Sequence, residues 1–135
     1  MSEENVEPFK RGIEAFNRED VEGLLEELDA EVEFHAVLQV MLGGEATVYR
    51  AHEGVRELLR DLDSTFAELD IGISEIRDLG DRVVGIGHLR GRGKESGAEV
   101  ESPYVVVVEF KNGKGVRVSD YFDPFEALEA AGLTE

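Results

Sequence analysis

Hydrophobic positions divide the chain into a helical first half and an alternating second half. Val6, Phe9, Ile13 and Phe16 recur at helical spacing and predict a first helix with one apolar stripe and a charged back. Asn17 to Asp20 interrupt it. Asp20 stands where an N-cap belongs, ahead of a shorter second helix carrying Val21, Leu24, Leu25 and Leu28, which Asp29 to Glu31 end. Val32 to Val37 alternate as a first strand, with Val32, Phe34 and Ala36 on one side. From Leu38 to Tyr49 the pattern dissolves, and Gly43-Gly44 predicts a mobile loop of about a dozen residues, a lid at a pocket mouth or plain irregular structure. Val55, Leu58, Leu59, Leu62 and Phe66 then fall on one helical face, which needs a broad apolar surface to lie on.

The second half supplies that surface. Leu69 to Ile73 alternate, and the apolar phase slips at Ile76 and Leu79, as at a bulge. Gly80-Asp81 predicts a turn, and Arg82 to Arg92 a strand containing Gly85, Gly87 and Gly91. Glycine weakens a strand, so these predict close approach of another backbone or strong curvature. Lys94 to Ala98 closes a second hairpin. The valine run Val105 to Val108 and the segment Val116 to Phe122 flank Asn112-Gly113, the strongest short hairpin signal, because both central turn residues need positive φ. Asp123-Pro124 then starts a short helix. Successive hairpins make an antiparallel meander, and the three early helices must cover one face of it. The expected fold is α+β, a curved antiparallel sheet wrapped as a cone around N-terminal helices, in one domain spanning residues 1–135.

Composition narrows the function. A length of 135 residues suffices for a core with a small cavity. The net charge of −17 argues against nucleic acid and anionic membranes, and is otherwise read as a solvated acidic surface. No apolar run approaches a bilayer span, and the N-terminal residues lack a signal pattern, so a cytoplasmic protein is expected. With no cysteine there is neither disulfide nor thiolate chemistry. The three histidines lack metal-ligand spacing, so no metal is expected.

The order of elements, with Ala15–Asp20, Tyr49–Val55, Gly80–Val84 and Asp120–Pro124, resembles the SnoaL-like branch of the nuclear transport factor 2-like superfamily, from about Val6 to Leu133. The scaffold hosts polyketide cyclases, ketosteroid isomerases, epoxide hydrolases and non-catalytic binding modules, so fold alone does not name a reaction. The resemblance implies a homodimer, commonly packed through the outer face of the sheet. It maps the ketosteroid isomerases' helix tyrosine, general base and second acid to Gly12, Phe34 and about Val106, which leaves those roles empty. The limonene-epoxide hydrolases' Arg/Asp pair does not line up with Gly85–Arg90. Their other acid matches Asp120, and SnoaL-type cyclases use a pocket aspartate near this part of the chain.

Asp120 also stands out by pattern. It shares a face with Val116, Val118 and Phe122, an inward position where a carboxylate is costly unless something needs it. Desolvation there would raise its pKa toward values suited to proton transfer. The alternative is a carboxylate bonded to backbone that merely finishes the fold. His88 shares a face with Val84, Ile86 and Arg90, and two placements are open: beside Asp120 as a proton relay, or at a dimer interface. Tyr104 and Tyr49 each offer a hydroxyl to a ligand or pack in the core. His35 precedes the loop, at a pocket mouth or in solvent. Phe16, Phe34, Val106 and Val118 complete the expected lining of a pocket for a small apolar molecule. No cofactor is implied. Two functions stand side by side: an acid/base isomerase, cyclase or hydrolase, and a non-catalytic dimeric binding or interaction module.

Overall fold

The computed structural model describes residues 4–36, 47–123, 125 and 129. Its elements run α1 (Val6–Asn17), α2 (Val21–Glu26), β1 (Leu28–Ala36), β2 (Thr47–Arg50), α3 (Ala51–Thr65), β3 (Phe66–Asp78), β4 (Arg82–Gly93), β5 (Glu99–Lys111) and β6 (Lys114–Tyr121). The strands form one curved six-stranded sheet in the order β2-β1-β6-β5-β4-β3. The meander from β3 to β6 is antiparallel, as expected from its turns, and Asn112 and Gly113 both take positive φ. The sequence pattern does not reveal two features. Strand β1 joins the meander in parallel to β6, and the short edge strand β2 pairs with β1 inside the segment read as loop. Residues 37–46 of that loop, and the helix expected after Asp123-Pro124 apart from Phe125 and Glu129, lie outside the described residues.

Two boundaries move. Leu28 opens β1 rather than closing α2, and Phe66 opens β3 rather than closing α3. Both are large apolar residues buried against the same core, so their contribution to a helical stripe looked continuous while the backbone had already turned extended; Phe66 has φ −115° and ψ 136°. Asp20 caps α2 as expected, accepting from Gly23 N at 3.0 Å.

Helix α1 is pinned across the β3–β4 ribbon at both ends. Near its start, Asn5 Nδ2 donates to Gly80 O in the β3–β4 turn at 2.6 Å. At its end Asn17 grips the open edge of β3, where Nδ2 donates to Ile71 O at 2.8 Å and Oδ1 accepts from Ile71 N at 2.9 Å. These bonds satisfy edge groups that would otherwise face water or another chain. Between the pins, Phe9 lies on Gly85. A Cβ at Gly85 would stand 2.5 Å from the Phe9 ring, and one at Gly87 would stand 1.8 Å from Gly72 O. The glycines in β4 are therefore required by close approach, where β3 bends over β4 next to the register shift between Ile73 and Glu75.

The inner face of the sheet and the helices share one core, which includes Val83, Leu89, Tyr104, Val106, Val108 and Val118. Val84, Val105 and Val107 form a separate outer cluster with Leu79, Ile86 and Tyr121. At the other edge Glu33 of β1 ties three strands together. It accepts from Arg50 of β2 at 2.7 Å and from Arg117 of β6 at 3.3 Å, and lies 3.1 Å from His35 Nε2.

Two predictions follow from this packing. Gly87→Ala should lower stability by about 2–4 kcal/mol in urea unfolding, because the new methyl group meets backbone that cannot yield. Gly72→Ala, whose methyl group meets nothing within 4 Å, should shift it by under about 0.5 kcal/mol; equal losses would contradict the packing. The second concerns pH. The hydrogen bond with His35, then those from Arg50 and Arg117, lower the Glu33 pKa from 4.5 to about 2. A depressed folded-state pKa means that Glu33 stabilises the fold above about pH 4.5, and that this contribution disappears as pH falls through about 2. Carboxyl-carbon NMR titration should give a midpoint near 2, moving upward in Arg117→Ala.

Candidate functional site

Where α1 crosses the concave side of the sheet, the packing leaves a chamber of about 60 Å³. Phe9, Gly12, Ile13 and Phe16 of α1 form one wall, Phe34, Val106 and Val118 of β1, β5 and β6 the facing wall, and Tyr104 and Ile71 lie between. The chamber has room for roughly four to six water-sized groups. Its lining is apolar except for Tyr104 and, at one side, Glu27, which Arg11 holds at 2.9 Å.

The polar group behind this wall is Asp120. Strand alternation points it inward with Val118, and it is 2% exposed, the one charged residue among the buried described residues. Its register partner is Val106, which puts it diagonally beside Tyr104. The Tyr104 hydroxyl donates to Asp120 Oδ2 at 3.0 Å, and the Tyr104 ring stands 6.4 Å from that of Phe122, tilted by 50°. Burial first, then the Asp120 charge and the hydrogen bond to it, push the Tyr104 pKa well above the ordinary tyrosine value. Tyr104 therefore keeps its proton across the working pH range and acts as a fixed donor. Chemically, this is a desolvated carboxyl whose orientation is set by a neutral phenol, next to an apolar chamber.

Five of the residues singled out from sequence line the chamber together: Phe16, Phe34, Tyr104, Val106 and Val118. Four do not join them: Asp120, which stands behind the wall and reaches the chamber only through Tyr104, and His88, His35 and Tyr49. His88 is exposed on the outer face of β4, paired with Gly72 and Pro103, so it forms no relay with Asp120. The reason is parity: Val83, Gly85, Gly87 and Leu89 are the residues that face the helices, with the two glycines making room for Phe9 and for β3. His35 also points to the outer side, where it bonds Glu33. Tyr49 is buried, but its hydroxyl donates to Asp61 Oδ2 of α3 at 2.8 Å and it lies apart from the chamber lining. Sequence reasoning missed Phe9, Ile13, Ile71 and Phe110 as lining residues. The helical stripe of α1 already contained the first two; nothing local marks the others, which come from distant strands.

The positions that the family resemblance assigns to the polar groups of ketosteroid isomerases, Gly12, Phe34 and Val106, all line this chamber and carry no polar side chain. Among the described residues no group of three or more His, Cys, Asp or Glu is placed to hold a metal ion, and no helix is long and apolar enough to cross a membrane.

Comparison with known proteins agrees with this architecture. An NTF2-like protein of unknown function from Burkholderia pseudomallei K96243 superposes with a TM-score of 0.80 at 26% identity, over 93% of this chain and 95% of that one. TerC, co-crystallised with polyporic acid, gives 0.78 at 24% identity, over 93% and 96%. A protein of ketosteroid isomerase-like fold from Catenulispora acidiphila DSM 44928, in complex with trimethylamine, gives 0.75 at 14%, over 95% and 94%. No curated protein matches the sequence. The SnoaL-like domain is matched over residues 9–118, from the α1 phenylalanine that sits on Gly85 to the β6 valine of the chamber wall, and the chain belongs to that family.

Proposed function

We propose that this domain binds a small, mainly apolar molecule in the cone interior and that Asp120 exchanges a proton with it, as in an isomerase, cyclase or hydrolase that needs no cofactor. The observation that carries the reading is the buried Asp120 carboxyl just behind the chamber wall, bonded at 3.0 Å by Tyr104, whose side chain lines the chamber. A buried charge is retained only against a desolvation cost, and perturbed carboxyls concentrate at sites of chemistry. Tyr104 positions the carboxyl, and Phe16, Phe34, Val106 and Val118 give the ligand its apolar contacts. The free volume of 60 Å³ suits the reactive end of a ligand rather than a whole polycyclic body. Small molecules bound on this fold in TerC and in the Catenulispora protein are in keeping with the reading.

The same small volume, with the empty positions at Gly12, Phe34 and Val106, favours a second reading: a binding module that holds a ligand without turning it over. Either form is expected to pair with a second copy through the outer face of the sheet. There Arg50, Arg82, Arg90, Arg92 and Arg117 stand against Glu33, Glu68, Asp70, Glu99, Glu101 and Glu109, eleven side chains that together carry one negative charge in a chain of −17. Light scattering should give twice the chain mass, and Ile86→Arg should halve it; a monomer at high micromolar concentration would exclude the pairing.

A thermal-shift screen identifies ligands, since whatever binds only the folded state raises the melting temperature. With such a ligand, Asp120→Asn should remove turnover, and Tyr104→Phe should reduce it while costing about 1–2 kcal/mol of stability through the lost bond to a charged group. Binding retained without turnover in the wild type would select the module. Turnover unchanged in Asp120→Asn would end the acid/base role.

A further inference from the structure

A second cleft lies on the helical side, between the α1–α2 turn and the end of α3 where β3 begins. At about 390 Å³ it is several times larger than the inner chamber and within the range of small-molecule sites. Phe16, Leu59, Phe66 and Leu69 give it an apolar floor, and Arg56 and Arg60 stand among its lining residues. Phe16 also lines the inner chamber, so the two spaces share that side chain.

Arg60 is the unusual group. Acids outnumber bases 31 to 14 in this chain. Nearly every arginine has found a carboxylate: Arg56, for example, is clasped by Glu22 at 2.8 Å. Among the described residues Arg60 is the one arginine with no carboxylate within 4.0 Å. Helical spacing offers it Glu57 and Asp63, three residues to either side, and it bridges neither. A planar five-donor fork beside an apolar floor suits a carboxylate head whose tail is apolar. The acidic surface elsewhere repels an anion, but that repulsion is screened over about 8 Å at physiological ionic strength, so the nearest charges decide. In the lining these are Arg56 and Arg60 against Glu19 and Asp63, and because Glu22 already takes Arg56, Arg60 is the cation left to meet a ligand.

We propose that this cleft is a second ligand site, distinct from the inner chamber, for an amphipathic carboxylate whose head pairs with Arg60 and whose apolar tail lies on Phe16, Leu59, Phe66 and Leu69. The proposal does not depend on Asp120 having a catalytic role.

The probe is octanoate, compared with octanol and octyltrimethylammonium, followed by amide chemical shifts in the full chain. Octanoate should perturb Leu59, Ala67 and Leu69 in a saturable way and bind more tightly than either analogue. Arg60→Gln, exposed and without an ion partner, should leave the melting temperature unchanged and weaken octanoate about tenfold while leaving octanol unaffected. Four results would each overturn the proposal: no saturable shift at tens of millimolar octanoate, preference for the ammonium, equal octanoate affinity in Arg60→Gln, or shifts centred on Val106 and Val118 in the inner chamber.

Discussion

The close seating of α1 on the bent β3–β4 ribbon is the constraint from which the site descends. Two missing side chains, at Gly85 and Gly87, let a phenylalanine ring and a neighbouring backbone approach to distances that any Cβ would forbid. Asn5 and Asn17 then fix the helix at both ends by bonding backbone groups of β3 and of its turn. Because α1 is held across the sheet, the concave face closes into a cone, and the space under Phe9, Ile13 and Phe16 becomes a chamber rather than a filled core. The site is thus a product of packing between elements far apart in sequence.

Within that chamber the physics is dominated by exclusion of water. The carboxyl buried behind its wall needs a donor, and Tyr104 supplies one from the neighbouring strand. Burial and the adjacent charge in turn keep the phenol protonated, so the pair has a fixed direction of hydrogen bonding, from hydroxyl to carboxylate. The chamber in front of the pair holds little else that is polar, since Gly12, Phe34 and Val106 line it without a polar side chain. That arrangement suits either one proton transfer on an apolar ligand or simple retention of it.

Much of this was legible in the sequence, and the exceptions have physical reasons. The alternation of Val116, Val118 and Asp120 gave the inward carboxylate, and Ser102, Tyr104 and Val106 shared an inward parity that placed the tyrosine beside it. The glycines of β4 announced a close approach. They also held the answer to the His88 ambiguity, because a strand face crowded by another backbone is the face that carries glycine, and His88 lies on the other. The parallel pairing of β1 with β6 was not legible, since the partners are about eighty residues apart and no turn connects them. Tyr49 illustrates a different limit. Its burial follows from its amphipathic ring, but its hydroxyl partner, Asp61, is a helix residue one element away that no local pattern selects.

The central claim is that a protonated Tyr104 holds Asp120 inside the protein. It is tested most directly by proton NMR of the Tyr104 hydroxyl. A hydroxyl buried and bonded to a carboxylate exchanges slowly with water, so its resonance should be visible near neutral pH, show proximity to Val106 and Val118 protons, and vanish in Asp120→Ala. A hydroxyl that exchanges too fast to observe, or one unaffected by that substitution, would contradict the account.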